Sequence, residues 1–148
     1  MIGPYSDEYF MKQAFAEALK AKENDEVPVG AVIVANNTVI ARAHNFTEHL
    51  CDVTAHAEMQ AITAASNYLG GKYLDECVLY VTIEPCVMCA GALHWAQIER
   101  IVYGASDTKR GFSRVTPNIL HPKTSIVKGV LEKDCEILLK NFFKDLRT

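Results

Sequence analysis

The 148 residues predict an α/β domain, a sheet with helices packed on both of its faces. Three observations carry this. Apolar runs of strand length alternate along the chain with segments of helical period. With 49% hydrophobic and 22% charged residues, the chain can bury the core of one globular domain, 1–148, with no room for a second. Finally, two short motifs rich in chemistry, Thr54-Ala55-His56-Ala57-Glu58 and Glu84-Pro85-Cys86-Val87-Met88-Cys89, each stand where a helix should begin.

The elements follow in order. Phe10, Met11, Ala14, Phe15, Ala18 and Leu19 recur at helical spacing between acidic Asp7 and Glu8 and basic Lys20 and Lys22, which suits the helix dipole, with Ser6 as the expected cap. Val29 to Ala35 and Thr38 to Ala43 read as strands joined by Asn36-Asn37, residues that tolerate the positive φ of a two-residue hairpin. A polar loop follows, and then a helix from Ala55 to about Tyr68 capped by Thr54. Leu69-Gly70-Gly71-Lys72 stops it. Val78 to Thr82 is a strand delivering Pro85, expected at the first position of the next helix, which continues through Leu93 and Trp95. Ile101 to Gly104 and Ser125 to Lys128 are the fourth and fifth strands. The residues between Gly104 and Thr124 show no sustained period and read as a long functional loop. Leu131, Cys135, Leu138, Leu139, Phe142 and Leu146 keep the period of a last helix.

Composition bounds the function. The start of the chain has neither a basic nor an apolar leader segment, and no run approaches the ~18 apolar residues of a membrane span, so a cytoplasmic location without membrane attachment is expected. The five cysteines form no even framework, which suits a reducing compartment, with Cys51, Cys77 and Cys135 as free thiols. The net charge of −3 hides an asymmetry: residues 1–99 hold 5 basic and 13 acidic side chains, whereas residues 100–148 hold 10 basic and 5 acidic. The C-terminal third could therefore face phosphates.

Cys86 and Cys89, at i and i+3, project from one side of a helix start, where the dipole and a cation favour thiolates. With His56 they make three ligands of the kind Zn²⁺ takes. Structural zinc sites close with four protein ligands, whereas catalytic ones keep three and a water. A zinc-stabilised binding module would need a fourth, such as Cys51, Cys77 or His44. Glu58 lies two residues past His56, about 200° around a helix, which argues against a shared coordination sphere. Two thiolates already cancel the charge of Zn²⁺, so its water is acidified weakly and a carboxylate must take the proton. Glu58 is the expected general base.

His56-Ala57-Glu58 with Pro85-Cys86-Val87-Met88-Cys89 matches the H-x-E and P-C-x-x-C signature of zinc nucleobase deaminases. Beyond it, Val27 to Val32, Arg42 to Asn45, Leu79 to Gly91 and Gly104 to Lys109 resemble the bacterial tRNA-specific adenosine deaminases, which convert the wobble adenosine of anticodons to inosine. The resemblance implies a three-layer α/β/α cytidine deaminase-like fold with a mixed five-stranded sheet, and a homodimer with one Zn²⁺ per subunit held by His56, Cys86 and Cys89. It makes Glu58 the proton shuttle and Asn45 a contact to the flipped-out nucleotide, with Pro28 and Val29 walling the base. Asp107 and Lys109, within the last matching block, become substrate contacts. Phe143, Lys144 and Arg147 on the last helix gain a contact role toward the anticodon stem-loop, whereas Phe142 is read as core. After Lys109 the pattern departs, with Arg110-Gly111-Phe112-Ser113-Arg114 in place of a Gly-Ser-hydrophobic segment.

Ala92-Leu93-His94-Trp95-Ala96 also resembles guanine deaminases, which makes a free-base deaminase the alternative, with a buried Trp95 as the plainer explanation. His49, His94 and His121 have no motif context and read as surface or packing residues. His44 reads as a support for Asn45.

Overall fold

Helix α1 (Asp7–Glu23) starts where the Ser6 hydroxyl accepts the Tyr9 backbone N–H at 3.1 Å, so the expected cap is the observed one. Residues 3–146 are described by a computed structural model. Strands β1 (Gly30–Ala35) and β2 (Thr38–His44) form an antiparallel hairpin. Asn36 and Asn37 turn it with φ of 50° and 59°, the paired positive values that match strand twist. Then follow α2 (Ala57–Leu69), β3 (Cys77–Ile83), α3 (Val87–Ala96), β4 (Arg100–Ala105), the short α4 (Phe112–Val115), β5 (Ser125–Lys128) and α5 (Glu132–Leu146).

The sheet order is β2-β1-β3-β4-β5, with β1 antiparallel to both neighbours and β3, β4 and β5 parallel. Parallel neighbours need crossovers, and α3 supplies the one between β3 and β4. Side-chain alternation sorts the central strands onto two layers. Ala31 and Ile33, Leu79 and Val81, Ile101 and Tyr103 face α2 and α3, while Val32 and Val34, Tyr80 and Val102 face α1. Because both faces are covered, these strands read as continuous apolar runs. Burying each valine, leucine or isoleucine among them stabilises the fold by ~1.5–3 kcal/mol. Helix α5 packs against β4 and β3 and buries Cys135, Leu138 and Phe142. The three-layer α/β/α architecture with a mixed five-stranded sheet is thus the observed one, and Phe142 is core. At Gly30 the helix layer comes closest: a Cβ there would collide with the Ala14 carbonyl oxygen and the Ala18 backbone nitrogen.

Several expected boundaries shift, each for a local reason. Helix α2 begins at Ala57 with His56 as its cap, not at Ala55 with Thr54. Both the backbone N–H and the hydroxyl of Thr54 bond the Asp52 carboxylate, at 2.8 and 2.7 Å, which turns the chain before the helix can start. Helix α3 begins at Val87 with Cys86 as cap, so Pro85 precedes the helix. Its carbonyl accepts the Phe112 N–H at 3.0 Å and Cys86 bridges Gly111, a pairing that keeps residues 85–86 extended. The stretch after Gly104 contains the one-turn helix α4 instead of unbroken loop. Trp95 is 79% exposed, which overturns its reading as a buried residue. Among the described residues no helix is long and apolar enough to cross a membrane.

Candidate active site

The chain brings its two motifs together at the starts of α2 and α3, beside the C-terminal ends of β3 and β4. That crevice is where α/β sheets commonly hold ligands. His56 and Cys86 both occupy cap positions with extended backbone, and neither makes a side-chain cap hydrogen bond. They turn toward each other instead. Cys89, in the first turn of α3, lies with its Sγ 3.4 Å from His56 Nδ1, and Cys86 Sγ lies 3.7 Å from the same nitrogen. The three ligand atoms fall within 4.8 Å of one another, and among the described residues no fourth His, Cys, Asp or Glu joins them. A tetrahedral zinc site, with Zn–S of ~2.3 Å and Zn–N of ~2.1 Å, sets sulfur and nitrogen ligands roughly 3.6 Å apart. The observed separations fit.

Electrostatics agree with a cation site. The hydrogen bond between Cys86 and Cys89, helped by His56, draws the Cys86 thiol down to about 4 against its partial burial. The same bond, with burial, pushes Cys89 up. The two sulfurs stand close enough to compete for protons, which metal ligands must give up on binding. His56 is held above its usual value, first by its hydrogen bond with Cys86.

Glu58, in the first turn of α2, is 3% exposed. Burial, reinforced by the negative charge at Cys86, pushes its carboxyl up to about 7, against its own backbone N–H and His56. An acid that titrates near neutrality can both take and give a proton there. It remains outside the ligand cluster, as the sequence reading expected.

These residues open into a cavity of about 760 Å³. Asn45 lines it and is 6% exposed, with its Oδ1 lacking any hydrogen-bond partner. His44 Nδ1 stands 3.2 Å from the Asn45 carbonyl oxygen, and the Asn45 N–H donates to Val29 at 3.1 Å, so the position is held from both sides. Of the residues expected to contact substrate, Val29, Asp107, Lys109 and Phe143 line the cavity. Pro28 does not: it is buried, and Val27 takes its place in the wall. Lys144 is exposed outside the lining, and Arg147 lies outside the described residues.

Other lining residues escaped the sequence reading. Glu136, Leu139 and Lys140 form one stripe of α5 with the already expected Phe143, and the i, i+3, i+4, i+7 spacing of the four was the available signal. Glu84 also reaches the cavity from the end of β3. His49, read as a surface or packing residue, is exposed, and its ring Nδ1 also lies 2.7 Å from the carboxylate of the fully buried Glu26.

Against known proteins, residues 4–105 match the family described as the cytidine and deoxycytidylate deaminase zinc-binding region. The chain is 47% identical over 146 residues to a tRNA-specific adenosine deaminase of Bacillus subtilis, covering 95% of this chain and 91% of that one. A tRNA:A34 deaminase, solved in work on A-to-I editing at the wobble position of transfer RNA, superposes with a TM-score of 0.83 at 44% identity, covering 88% of this chain and 99% of the other. A guanine deaminase of Bacillus subtilis is 36% identical with a TM-score of 0.68, over 79% and 78% of the two chains. By these relationships, and by a zinc triad backed by a buried glutamate, the chain belongs to the tRNA-specific adenosine deaminases of the zinc-dependent cytidine deaminase family.

Proposed function

We propose that the protein hydrolytically deaminates adenosine to inosine at the wobble position of tRNA anticodons. The observation that carries this is the opening of the His56, Cys86, Cys89 and Glu58 cluster into a cavity whose lining also includes Lys109, Arg110, Lys140 and Phe143. A free base has no use for such a rim, whereas an RNA loop presents both phosphates and unstacked bases to it.

His56, Cys86 and Cys89 would hold Zn²⁺, which would supply the charge that lets a water give up its proton and attack C6 of adenine as hydroxide. Glu58 takes the proton from that water and delivers it to the ring nitrogen, so negative charge does not build on the purine as the C6–O bond forms. The second proton leaves with the amine, so that adenosine and water become inosine and ammonia. Burial of Glu58 keeps bulk water from competing for its proton. The Asn45 side-chain Oδ1, buried and without a hydrogen-bond partner among the described residues, supports a role in accepting a hydrogen bond from the flipped nucleotide. Val27 and Val29 supply apolar wall.

Residues 1–148 act as one deaminase domain, two copies of which pair as a homodimer with one Zn²⁺ each. The largely exposed indole of Trp95 supports the dimer, because large exposed aromatics are enriched where partner surfaces meet. Free cysteines support action in the reducing cytoplasm.

The test is a side-by-side assay of ammonia release from an anticodon stem-loop, free guanine and cytidine, with inosine scored in the RNA. Inosine at the wobble position is expected. Guanine turnover with no inosine in any tRNA would overturn the reading in favour of a guanine deaminase.

A further inference from the structure

We propose that Glu84 is a positioning residue, a buried carboxylate that ties the substrate-facing loop Ser106–Phe112 to the metal-binding turn. This rests on the RNA-deaminase reading above. Glu84 is 3% exposed and lies two residues before Cys86. Both of its oxygens are engaged, one by the loop and one by Ser113 of α4, which follows it directly. Oε1 accepts the Asp107 backbone N–H at 3.1 Å, while Oε2 accepts the Ser113 backbone N–H at 3.0 Å and the Ser113 hydroxyl. One carboxylate therefore fastens both ends of the loop.

The intervening chain is shaped around it. A Cβ at Gly111 would collide with the Glu84 carboxyl carbon and its oxygens, so only glycine lets the backbone pass this closely. Asp107, held by Glu84, in turn accepts the backbone N–H groups of Lys109 and Arg110 at 3.0 and 2.9 Å. The order of dependence runs from Glu84 through Asp107 to the two basic side chains that reach the cavity. On the other side, the Glu84 N–H donates to Ala105 at 2.8 Å and the Phe112 N–H to Pro85 at 3.0 Å. Loop and ligand turn thus move as one body, which fixes the distance between the reacting centre and the residues that grip the RNA.

The donor pattern explains why the residue is an acid and not an amide. Backbone N–H groups point at both oxygens, so a glutamine must set its own NH₂ against one of them and leave that donor unpaired. Losing a hydrogen bond to a charged acceptor in a buried site corresponds to a change on the order of tenfold or more.

The experiment measures steady-state inosine formation on an anticodon stem-loop for wild type, Glu84→Gln and Ser113→Ala, together with zinc content and thermal melting. Glu84→Gln should raise KM on the order of tenfold, with kcat within about threefold of wild type and zinc stoichiometric. Ser113→Ala, which removes one donor and keeps the backbone bond, should raise KM by a smaller factor in the same direction. An unchanged KM in a zinc-replete Glu84→Gln overturns the proposal. So does loss of kcat in step with zinc, which would make Glu84 a prop for the metal turn alone. Should Glu84→Gln not fold, Ser113→Ala decides, a raised KM supporting the proposal and an unchanged one overturning it. Absence of inosine formation by the wild type would instead strike the RNA-deaminase reading itself.

Discussion

Cys89 Sγ stands 3.4 Å from His56 Nδ1 although 33 residues separate them in the chain. The two atoms meet because two helices begin at the same point, each with a ligand at its cap. Such caps normally bond their own helix, and forgoing that costs ~1 kcal/mol per helix. The metal offsets the loss, so zinc and folding are linked.

Cys86→Ser, Cys89→Ser and His56→Ala should each bind less than stoichiometric zinc by elemental analysis. Chelation should lower the melting temperature of wild type and leave these variants little changed. Cobalt substitution should report two thiolate ligands. Three would point to a fourth protein ligand and against catalysis, although Cys51 is exposed, Cys77 starts β3 and His44 faces the Asn45 carbonyl.

Glu58→Ala should keep stoichiometric zinc and lose turnover by at least ~10²-fold, the usual contribution of general acid–base catalysis. Glu58→Gln preserves shape but cannot carry a proton, and should be equally inactive. Release of zinc by Glu58→Ala would show that the residue is a ligand, contrary to its exclusion from the triad.

The fold and the metal centre were legible because both rest on short-range pattern. The continuous apolar runs of β1, β3 and β4, buried on both faces, and the three-residue spacing of Cys86 and Cys89 survive any tertiary context. Helix starts were less legible, since Asp52 claims the Thr54 hydroxyl and Gly111 pairs with Cys86 from outside each motif. Trp95 misled for a different reason: an aromatic side chain signals burial, but on α3 it faces away from the sheet's core. Glu84 and Glu26 were invisible as anchors because their partners are backbone N–H groups, which carry no sequence signature.

The basic rim should give salt-dependent RNA binding. Reversing Lys109, Arg110 or Lys140 to glutamate should raise KM for a stem-loop and reduce the slope of log affinity against log salt by ~0.7 for each phosphate that is no longer neutralised. Lys144, exposed beyond the cavity lining, should have the smaller effect. Zinc content should not move. A salt slope unchanged across all four variants would remove phosphate binding from this wall.

Glu26 offers a pH signature. Its carboxylate, fully buried, accepts the backbone N–H groups of His49 at 2.8 Å and Glu48 at 3.1 Å, and lies against the His49 ring. Burial alone would raise its pKa, but these bonds outweigh it and hold the group below the ordinary 4.5. A carboxylate with a depressed folded pKa contributes stability that is fully present above its unfolded value and lost as pH falls through the folded one. Glu26→Gln keeps the volume but supplies one acceptor oxygen, so it should cost about 2–3 kcal/mol at pH 7. Urea titrations of wild type and variant should show this gap shrinking once pH drops below about 4.5, where the wild-type carboxylate begins to gain a proton that the amide of the variant never carries. The loop it anchors includes Thr47, which lines the cavity, so faster amide exchange across residues 46–52 should accompany the loss. A gap that stays constant from neutral to acid pH would mean that the charge of Glu26 contributes nothing and that only its shape matters.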